Sequence, residues 1–181
     1  MTVEEKPDKL DLVLPCKQYQ QQVEEYRDKF PQDYDIPGAS GLQGLAFDEW
    51  LTKCEDYRQG KNLPDDYVPA TLYLAVRKDD SKVVGMLHIR HNLNSSYLAR
   101  LGGHIGYSVA PEERCKGYGT EMLRKGLLRC TKLGIHTVMV SCFEDNIGSA
   151  KVIKKNNGVF IREEISDKKT FHIYHINNFL D

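Results

Sequence analysis

The chain has 181 residues, of which 40% are hydrophobic and 28% are charged, a balance typical of a folded globular protein. Its formal net charge of −1 excludes a broad electrostatic attraction to nucleic acid or to an anionic membrane. No apolar run reaches the roughly 18 residues that a membrane-spanning helix needs, so neither nucleic acid nor a membrane is expected as a partner. The charged stretch 1–11 lacks the apolar region of a signal peptide. The five cysteines form no C-x-x-C pair, and we therefore expect reduced thiols in a cytoplasmic protein.

Hydrophobic periodicity predicts an alternation of helices and strands along one domain, residues 1–181. The first part (10–60) is predicted to contain a strand at 10–14, a helix at 17–30, a loop at 31–44 and a helix at 46–59. A further loop covers 61–69. From residue 70 onward, strands are predicted at 71–77, 82–91, 103–109, 135–142, 159–163 and 170–176, with helices before Gly134 and at 146–156. This order indicates an α/β chain of the α+β type. Its sheet is mixed and mostly antiparallel, with helices on both faces.

The stretch 103–132 carries the most informative pattern in the chain. A short strand ends at Pro111, a polar loop with two glycines follows, and an amphipathic helix comes next. The first turn of a helix leaves backbone N–H groups unpaired and partly positive, and glycines let a ligand approach them. Arg114 and Lys116 add positive charge beside the same amides. The order therefore predicts a cradle for a phosphate or pyrophosphate, with an ordinary strand–turn–helix corner as the alternative.

Two well-known phosphate loops do not fit this stretch. The P-loop needs four residues between its glycines and then Lys-Ser/Thr, which Gly117-Tyr118-Gly119-Thr120 does not supply. The dinucleotide fingerprint needs a third glycine where the chain has Met122. A binder of another nucleotide phosphate stays open as a further interpretation.

One family pattern does fit. Arg114-x-x-Gly117-x-Gly119 follows Val109-Ala110-Pro111, and Asn146-Ile147-Gly148-Ser149 comes downstream in the expected order. Over about residues 70–177 the chain resembles the GNAT superfamily of acyl-CoA-dependent N-acetyltransferases. The resemblance implies acetyl-CoA (coenzyme A) as cofactor. It also implies a sheet splayed at its centre, where the strands at 103–109 and 135–142 separate and hold the pantetheine arm.

The resemblance also implies which residues contact the cofactor. The amide of Val109 or a neighbour would bind the acyl or pantetheine carbonyl, as a backbone N–H commonly does in acyl transfer. The amides and charges of 114–120 would hold the pyrophosphate. Asn146 and Ser149 would contact the cofactor arm, or else serve as a plain helix cap and a solvent-facing residue. The implied cofactor-binding residues are Val109, Arg114, Cys115, Lys116, Gly117, Tyr118, Gly119, Thr120, Asn146 and Ser149.

The catalytic groups are less clearly marked. An alkyl ammonium has a pKa near ~10.4, so a base must remove its proton before attack. Where the family often has a glutamate, this chain has His104, which would act as base or relay, or else only hydrogen-bond across the sheet. Where the family often has a tyrosine acid the chain has Ile153, which leaves water, Tyr107 or Tyr174 as donors. Cys142 is expected to be buried and inert rather than acylated.

The predicted function is the transfer of an acetyl group from acetyl-CoA to a primary amine by direct attack in a ternary complex. A non-catalytic acyl-CoA-binding module is the alternative, because Ile153 and the missing glutamate both depart from the family pattern. The acceptor is expected to be a small-molecule or peptide amine. The histidines on the strands do not form a recognisable ligand set, so no metal site is predicted. A homodimer stays open.

Overall fold

The computed structural model describes residues 8–178, which form seven strands and four α-helices. The strands are β1 (Leu10–Val13), β2 (Ala70–Arg77), β3 (Val83–Arg90), β4 (Ile105–Val109), β5 (Thr137–Phe143), β6 (Val159–Ser166) and β7 (Lys169–Asn177). The helices are α1 (Gln20–Arg27), α2 (Phe47–Gln59), α3 (Tyr118–Lys132) and α4 (Ile147–Lys155). Residues 1–7, which are most of the charged N-terminal stretch, lie outside the described residues.

The strands form two antiparallel sheets rather than one continuous sheet. The first has the order β1-β2-β3-β4 and the second has the order β5-β7-β6. They meet where the N–H of His104 donates to the carbonyl oxygen of Met139 at 2.8 Å. Beyond that contact β4 and β5 belong to different sheets. The predicted α+β class and splayed sheet are confirmed, and the splay is deep enough to divide the sheet in two.

Helices cover both faces of the first sheet, as predicted. On one face, α1 and α2 bury Tyr26 and Trp50 against Leu74 and Met86. On the other face, α3 buries an apolar stripe at helical spacing, whose members are Met122, Leu123, Gly126, Leu127 and Cys130. This stripe continues onto the second sheet, so one core joins the two sheets under α3. Each large apolar side chain buried there contributes about 1.5–3 kcal/mol of transfer free energy.

Several boundaries differ from the predicted ones by one to three residues, and two of the differences have a clear local reason. The helix predicted over 17–30 is a 3-10 turn at Lys17–Tyr19 followed by α1. Helix α1 ends at Arg27, and the N–H of Phe30 then donates to the carbonyl oxygen of Arg27 as the chain tightens before Pro31. Strand β4 begins at Ile105 instead of residue 103, because Gly103 has a φ of +62°, which a strand does not allow. Within residues 8–178 there is no helix with the length and apolar character of a membrane span.

Candidate active site

The amino-terminal end of α3 forms an open cradle of backbone amides. Gly117 caps the helix with a φ of +90°, and hydrogen bonding within the helix begins with the N–H of Glu121, which donates to the Gly117 carbonyl oxygen at 3.2 Å. The amides of Tyr118, Gly119 and Thr120 precede that first bond, so the helix leaves them available. A Cβ on Gly117 would meet nothing within 4 Å. The cradle is therefore open to solvent and is suited to an anion.

A buried carboxylate holds the loop in front of α3. The side chain of Glu113 is 4% exposed and accepts hydrogen bonds from Arg77 at 2.9 Å, Lys82 at 2.9 Å and Lys116 at 2.8 Å. Its pKa is lowered to about 2, mainly by the hydrogen bond from Lys116. The loop is thus tied to the turn end of the β2–β3 hairpin, on both sides of the turn. Sequence reasoning missed this anchor, because its partners at 77 and 82 lie more than thirty residues away in the chain.

The predicted loop residues divide into different kinds of position. Arg114 and Cys115 are exposed, and the Arg114 Nε donates to the carbonyl oxygen of Val109 at 3.3 Å. Lys116 is exposed, but an ion pair with Glu113 fixes the position of its ammonium group. Tyr118 is buried, and its hydroxyl accepts from Arg77 at 3.2 Å, so that only its backbone amide faces the cradle.

Gly119 has a packing role that the sequence did not reveal. A Cβ there would lie 3.2 Å from Cγ2 of Val152 and 3.8 Å from Cγ2 of Val109. The glycine therefore lets α3 approach both α4 and the end of β4. The side-chain amide of Asn156 ties the same two helices together, since it donates to the carbonyl oxygen of Thr120 at 3.1 Å. The cradle and the α4 residues are held in one rigid unit.

The gap between β4 and β5 exposes the backbone of β4. The N–H of Ala110 donates to the Val84 carbonyl oxygen at 2.9 Å, and Val109 lies opposite Gly85 in the antiparallel register. Because hydrogen-bonded and non-bonded pairs alternate along such a ladder, the amides of Tyr107 and Val109 point away from β3 and toward the gap. Both residues are half-buried. The position predicted for a carbonyl-binding amide therefore has a donor that faces the gap.

Two hydroxyl groups meet across this gap. The Tyr107 hydroxyl and the Ser149 Oγ are 2.8 Å apart, although the residues are 42 positions apart in the chain. Burial raises the pKa of the Tyr107 phenol, so it stays protonated at neutral pH. The Cys142 thiol lies beside Ser149, and its pKa is raised by burial, which favours the inert role over an acylated one. Ser149 is thus not a solvent-facing residue.

The other predicted residues of α4 have structural roles. Asn146 caps the helix, with its Oδ1 accepting from the N–H of Ser149 at 3.0 Å, and the cap orients the first turn. Ile153 is fully buried in the core. The position where the family often has a tyrosine as general acid therefore supplies no proton donor, whereas the hydroxyls of Tyr107 and Ser149 lie at the gap.

His104 lies at the closed end of the gap, where the two sheets meet. The ring Nδ1 accepts a hydrogen bond from the backbone N–H of Met139 at 3.0 Å. The backbone N–H of His104 donates to the carbonyl oxygen of the same Met139. Burial, with smaller effects of His175 and Arg90, lowers the pKa of the imidazole to about 4. The ring is therefore neutral at pH 7, with its proton on Nε2. A base would have to use Nδ1, which is already engaged, so these contacts favour the cross-sheet role over the base.

The remaining histidines do not form a metal site. Within the described range 8–178, no group of three or more histidine, cysteine, aspartate or glutamate side chains could hold a metal ion. Burial lowers the pKa of His88 to about 3, so this side chain too is neutral at pH 7.

Comparison with known proteins agrees with this geometry. The sequence model of the acetyltransferase (GNAT) family matches residues 20–159, which is well over half of the chain and includes the cradle, the gap and α4. The chain belongs to the GNAT acetyltransferase family. It is an acetyltransferase of the class that uses acetyl-CoA. No curated protein matches the sequence.

Solved structures of other GNAT proteins share the fold. Ribosomal-protein-S5-alanine acetyltransferase from Vibrio fischeri is 16% identical, with a TM-score of 0.69 over 98% of this chain and 97% of that one. A GNAT acetyltransferase from Bacillus anthracis is 16% identical, with a TM-score of 0.64 over 96% and 97%. A microcin C7 self-immunity acetyltransferase, solved with acetyl-CoA and AMP, is 15% identical, with a TM-score of 0.63 over 94% and 93%. At these identities the likeness is one of fold.

Proposed function

We propose that this GNAT protein transfers an acetyl group from acetyl-CoA to a primary amine, by direct attack of the amine while both substrates are bound. The observation that carries the proposal is the alignment of three features along one gap. They are the amide cradle of α3, the gap-facing amide of Val109 and the hydroxyl pair of Tyr107 and Ser149. The acceptor is proposed to be a small molecule or a peptide.

The residues present fit the cofactor. The amides of 117–120 and the exposed guanidinium of Arg114 would hold a pyrophosphate, because the cap at Gly117 leaves the cradle open. When bound, acetyl-CoA supplies an electrophilic thioester and a thiol leaving group. The Val109 amide would donate a hydrogen bond to the thioester carbonyl, where negative charge develops during attack. The hydroxyls of Ser149 and Tyr107 would hold a proton close to the leaving sulfur.

The proton of the acceptor amine needs a route that does not pass through His104 Nδ1. We propose that His104 positions β4 against β5, and that water takes the proton from the amine. This assignment rests on the bond from the Met139 N–H to Nδ1. It differs from the expectation of a histidine base, and the variant His104→Asn separates the two roles.

The cradle can be tested with a pair of matched glycine variants. Gly117 and Gly134 both have a positive φ, of +90° and +74°, and a Cβ at either would meet nothing within 4 Å. Replacement by alanine should strain both sites equally, by roughly 1–2 kcal/mol. Only Gly117 belongs to the cradle, because Gly134 follows the other end of α3.

Calorimetric titration of acetyl-CoA into the wild type, Gly117→Ala and Gly134→Ala would measure the effect. We expect saturable binding by the wild type and by Gly134→Ala, and at least tenfold weaker binding by Gly117→Ala. Release of free CoA is then screened against a panel of amines. Equal binding by both variants would contradict the cradle. Binding with no CoA release in the presence of any amine would favour the non-catalytic module.

A further inference from the structure

The arginine at the end of β3, Arg90, places a charged side chain near the gap. Arg90 is partly buried, and its Nη1 donates to the carbonyl oxygens of Gly102 at 3.0 Å and Gly103 at 3.3 Å. The same nitrogen lies 3.9 Å from the point that a Cβ on Gly106 would occupy. Gly106 belongs to β4, so the guanidinium lies beside the strand that lines the gap.

The charge of Arg90 has no carboxylate partner within the described residues. No aspartate or glutamate of 8–178 lies within 4.0 Å of its guanidinium, in contrast to Arg58, Arg77 and Arg162. Its Nε and Nη2 donate to no group in that range, and both nitrogens are in contact with solvent. A partly desolvated cation without a counter-ion is costly to maintain, so it is typical of a binding site rather than of a stabilising contact.

The loop around Gly38 packs against β4 at Gly106, the residue that the Arg90 guanidinium also approaches. Gly38 has a φ of +80° and packs so closely on β4 that a Cβ would lie 2.8 Å from the Gly106 carbonyl oxygen. The loop is anchored by Trp50, whose Nε1 donates to the Ala39 carbonyl oxygen at 2.8 Å. Burial lowers the pKa of Arg90, while Tyr97 and the exposed Asp35 of the same loop oppose this effect without an ion pair to it. Gly38 and Gly106 lie on the α1–α2 side of the sheet, opposite α3, because the neighbouring Ser108 on that face of β4 accepts a hydrogen bond from Tyr26 of α1.

Capping of the turn at Leu98–Gly102 does not by itself explain why Arg90 places an unpaired charge beside the gap. A second arginine, Arg162 on β6, also donates to carbonyl oxygens of that turn, at 3.5 Å from Ala99 and 3.2 Å from Arg100. Arg162 is paired with Glu164 at 2.9 Å. The turn therefore has a capping arginine that is ion-paired, whereas Arg90 keeps unpaired donors beside the gap.

We propose that Arg90 binds a carboxylate of the acceptor, so that the acceptor is a primary amine that also carries a carboxylate. The inference rests on the proposed function, because it places the acceptor on the α1–α2 side of the same gap. The planar guanidinium would use its Nε and Nη2, the two nitrogens that no described residue occupies, in a paired hydrogen bond to the carboxylate. Its charge would also favour the neutral form of an amine held nearby, which is the form that attacks.

The test compares carboxylate-bearing amines with their decarboxylated partners. Equilibrium binding to the protein without acetyl-CoA is measured by ligand-observed NMR, and kcat/KM is measured by CoA release. The probes are L-lysine against cadaverine, L-tyrosine against tyramine and L-phenylalanine against phenethylamine. Alanyl-alanine against alanyl-alanine amide tests the C-terminal carboxylate of a peptide in place of that of a free amino acid. We expect at least one carboxylate member to bind and react 10- to 100-fold better than its partner.

Arg90→Met should remove that preference, while Arg162→Met, the matched capping variant, should keep it. Arg90→Lys should keep part of it, since a lysine retains the charge but not the planar fork. Melting temperatures identify any variant that does not fold, and the preference of the wild type needs no variant at all. Equal affinity and equal kcat/KM for both members of every pair would overturn the inference and leave the proposed acetyl transfer intact. Binding of a carboxylate probe without any CoA release would instead overturn the acetyl transfer and leave the carboxylate site standing.

Discussion

The hydroxyl oxygens of Tyr107 and Ser149 lie 2.8 Å apart and join β4 to the first turn of α4 across the gap between the sheets. The Asn146 cap orients that turn, and Gly119 lets α3 approach α4 closely at Val152. Neither hydroxyl faces open solvent, since both side chains are only partly exposed. The pair is therefore a fixed, protonated group in the gap, where the proposed function puts the leaving thiol.

We predict that Ser149→Ala and Tyr107→Phe lower kcat by about 10- to 100-fold, because each removes a hydroxyl that can hold a proton near the leaving sulfur. The dissociation constant of acetyl-CoA should change by less than about threefold. Steady-state CoA release and calorimetry check the two quantities. Tyr174→Phe is the control, since that ring is buried and packs against Phe160 with ring centroids 5.9 Å apart. An unchanged kcat in both hydroxyl variants would contradict the assignment.

His104 offers a test that separates positioning from base catalysis. His104→Ala removes the acceptor of the Met139 N–H and should cost about 1–3 kcal/mol of stability as well as activity. His104→Asn can present a carbonyl oxygen close to the position of Nδ1. If His104 only positions β4, the asparagine variant should recover most of the wild-type rate. If His104 is the base, both variants should lose turnover to the same extent, and the acid limb of the pH–rate profile should disappear.

The same histidine should make the protein less stable in mild acid. Its folded pKa of about 4 lies below the unfolded value near ~6.5, so the neutral form stabilises the fold at pH 7. That stabilisation is complete above pH ~6.5 and is lost as the pH falls toward 4, and the full shift is worth on the order of 3 kcal/mol. His88, with a pKa of about 3, acts in the same direction. Denaturation midpoints at pH 7, 6 and 5 should fall steadily. The slope should be shallower for His104→Asn, and an equal slope would contradict the role of His104.

The anchor of the cradle loop can be tested with two neighbouring glutamates. Glu113→Gln leaves three cations without their shared carboxylate, and we expect a loss of about 3 kcal/mol in the free energy of unfolding. Glu112→Gln removes exposed contacts to Lys29 and Lys82 and should cost less than about 1 kcal/mol. Urea denaturation measures both. Because the loop in front of α3 would loosen, Glu113→Gln should also weaken acetyl-CoA binding. Equal stability of the two variants would show that Glu113 is not the anchor.

Much of the fold could be predicted from local pattern. The strand, glycine loop and helix at 103–132 follow from alternation, Pro111 and the helical stripe, and the family resemblance followed from residues within that stretch and Asn146–Ser149. Where a backbone angle was incompatible with the element that the hydrophobic pattern predicted, the predicted boundary was shifted. The strand predicted from 103 begins at Ile105, because the positive φ of Gly103 is a property of the turn before it.

The sequence by itself determined the elements, the family and the glycine cradle, because these depend on residues that are close together in the chain. Only the tertiary structure decided the partners of each side chain. It placed Tyr107 beside Ser149, tied Glu113 to Arg77 and Lys82, engaged His104 Nδ1 with Met139, and left Arg90 without a carboxylate partner in the range 8–178. These contacts join residues on different elements, so their chemistry depends on the distance, burial and direction that packing imposes. Composition and spacing do not encode those quantities.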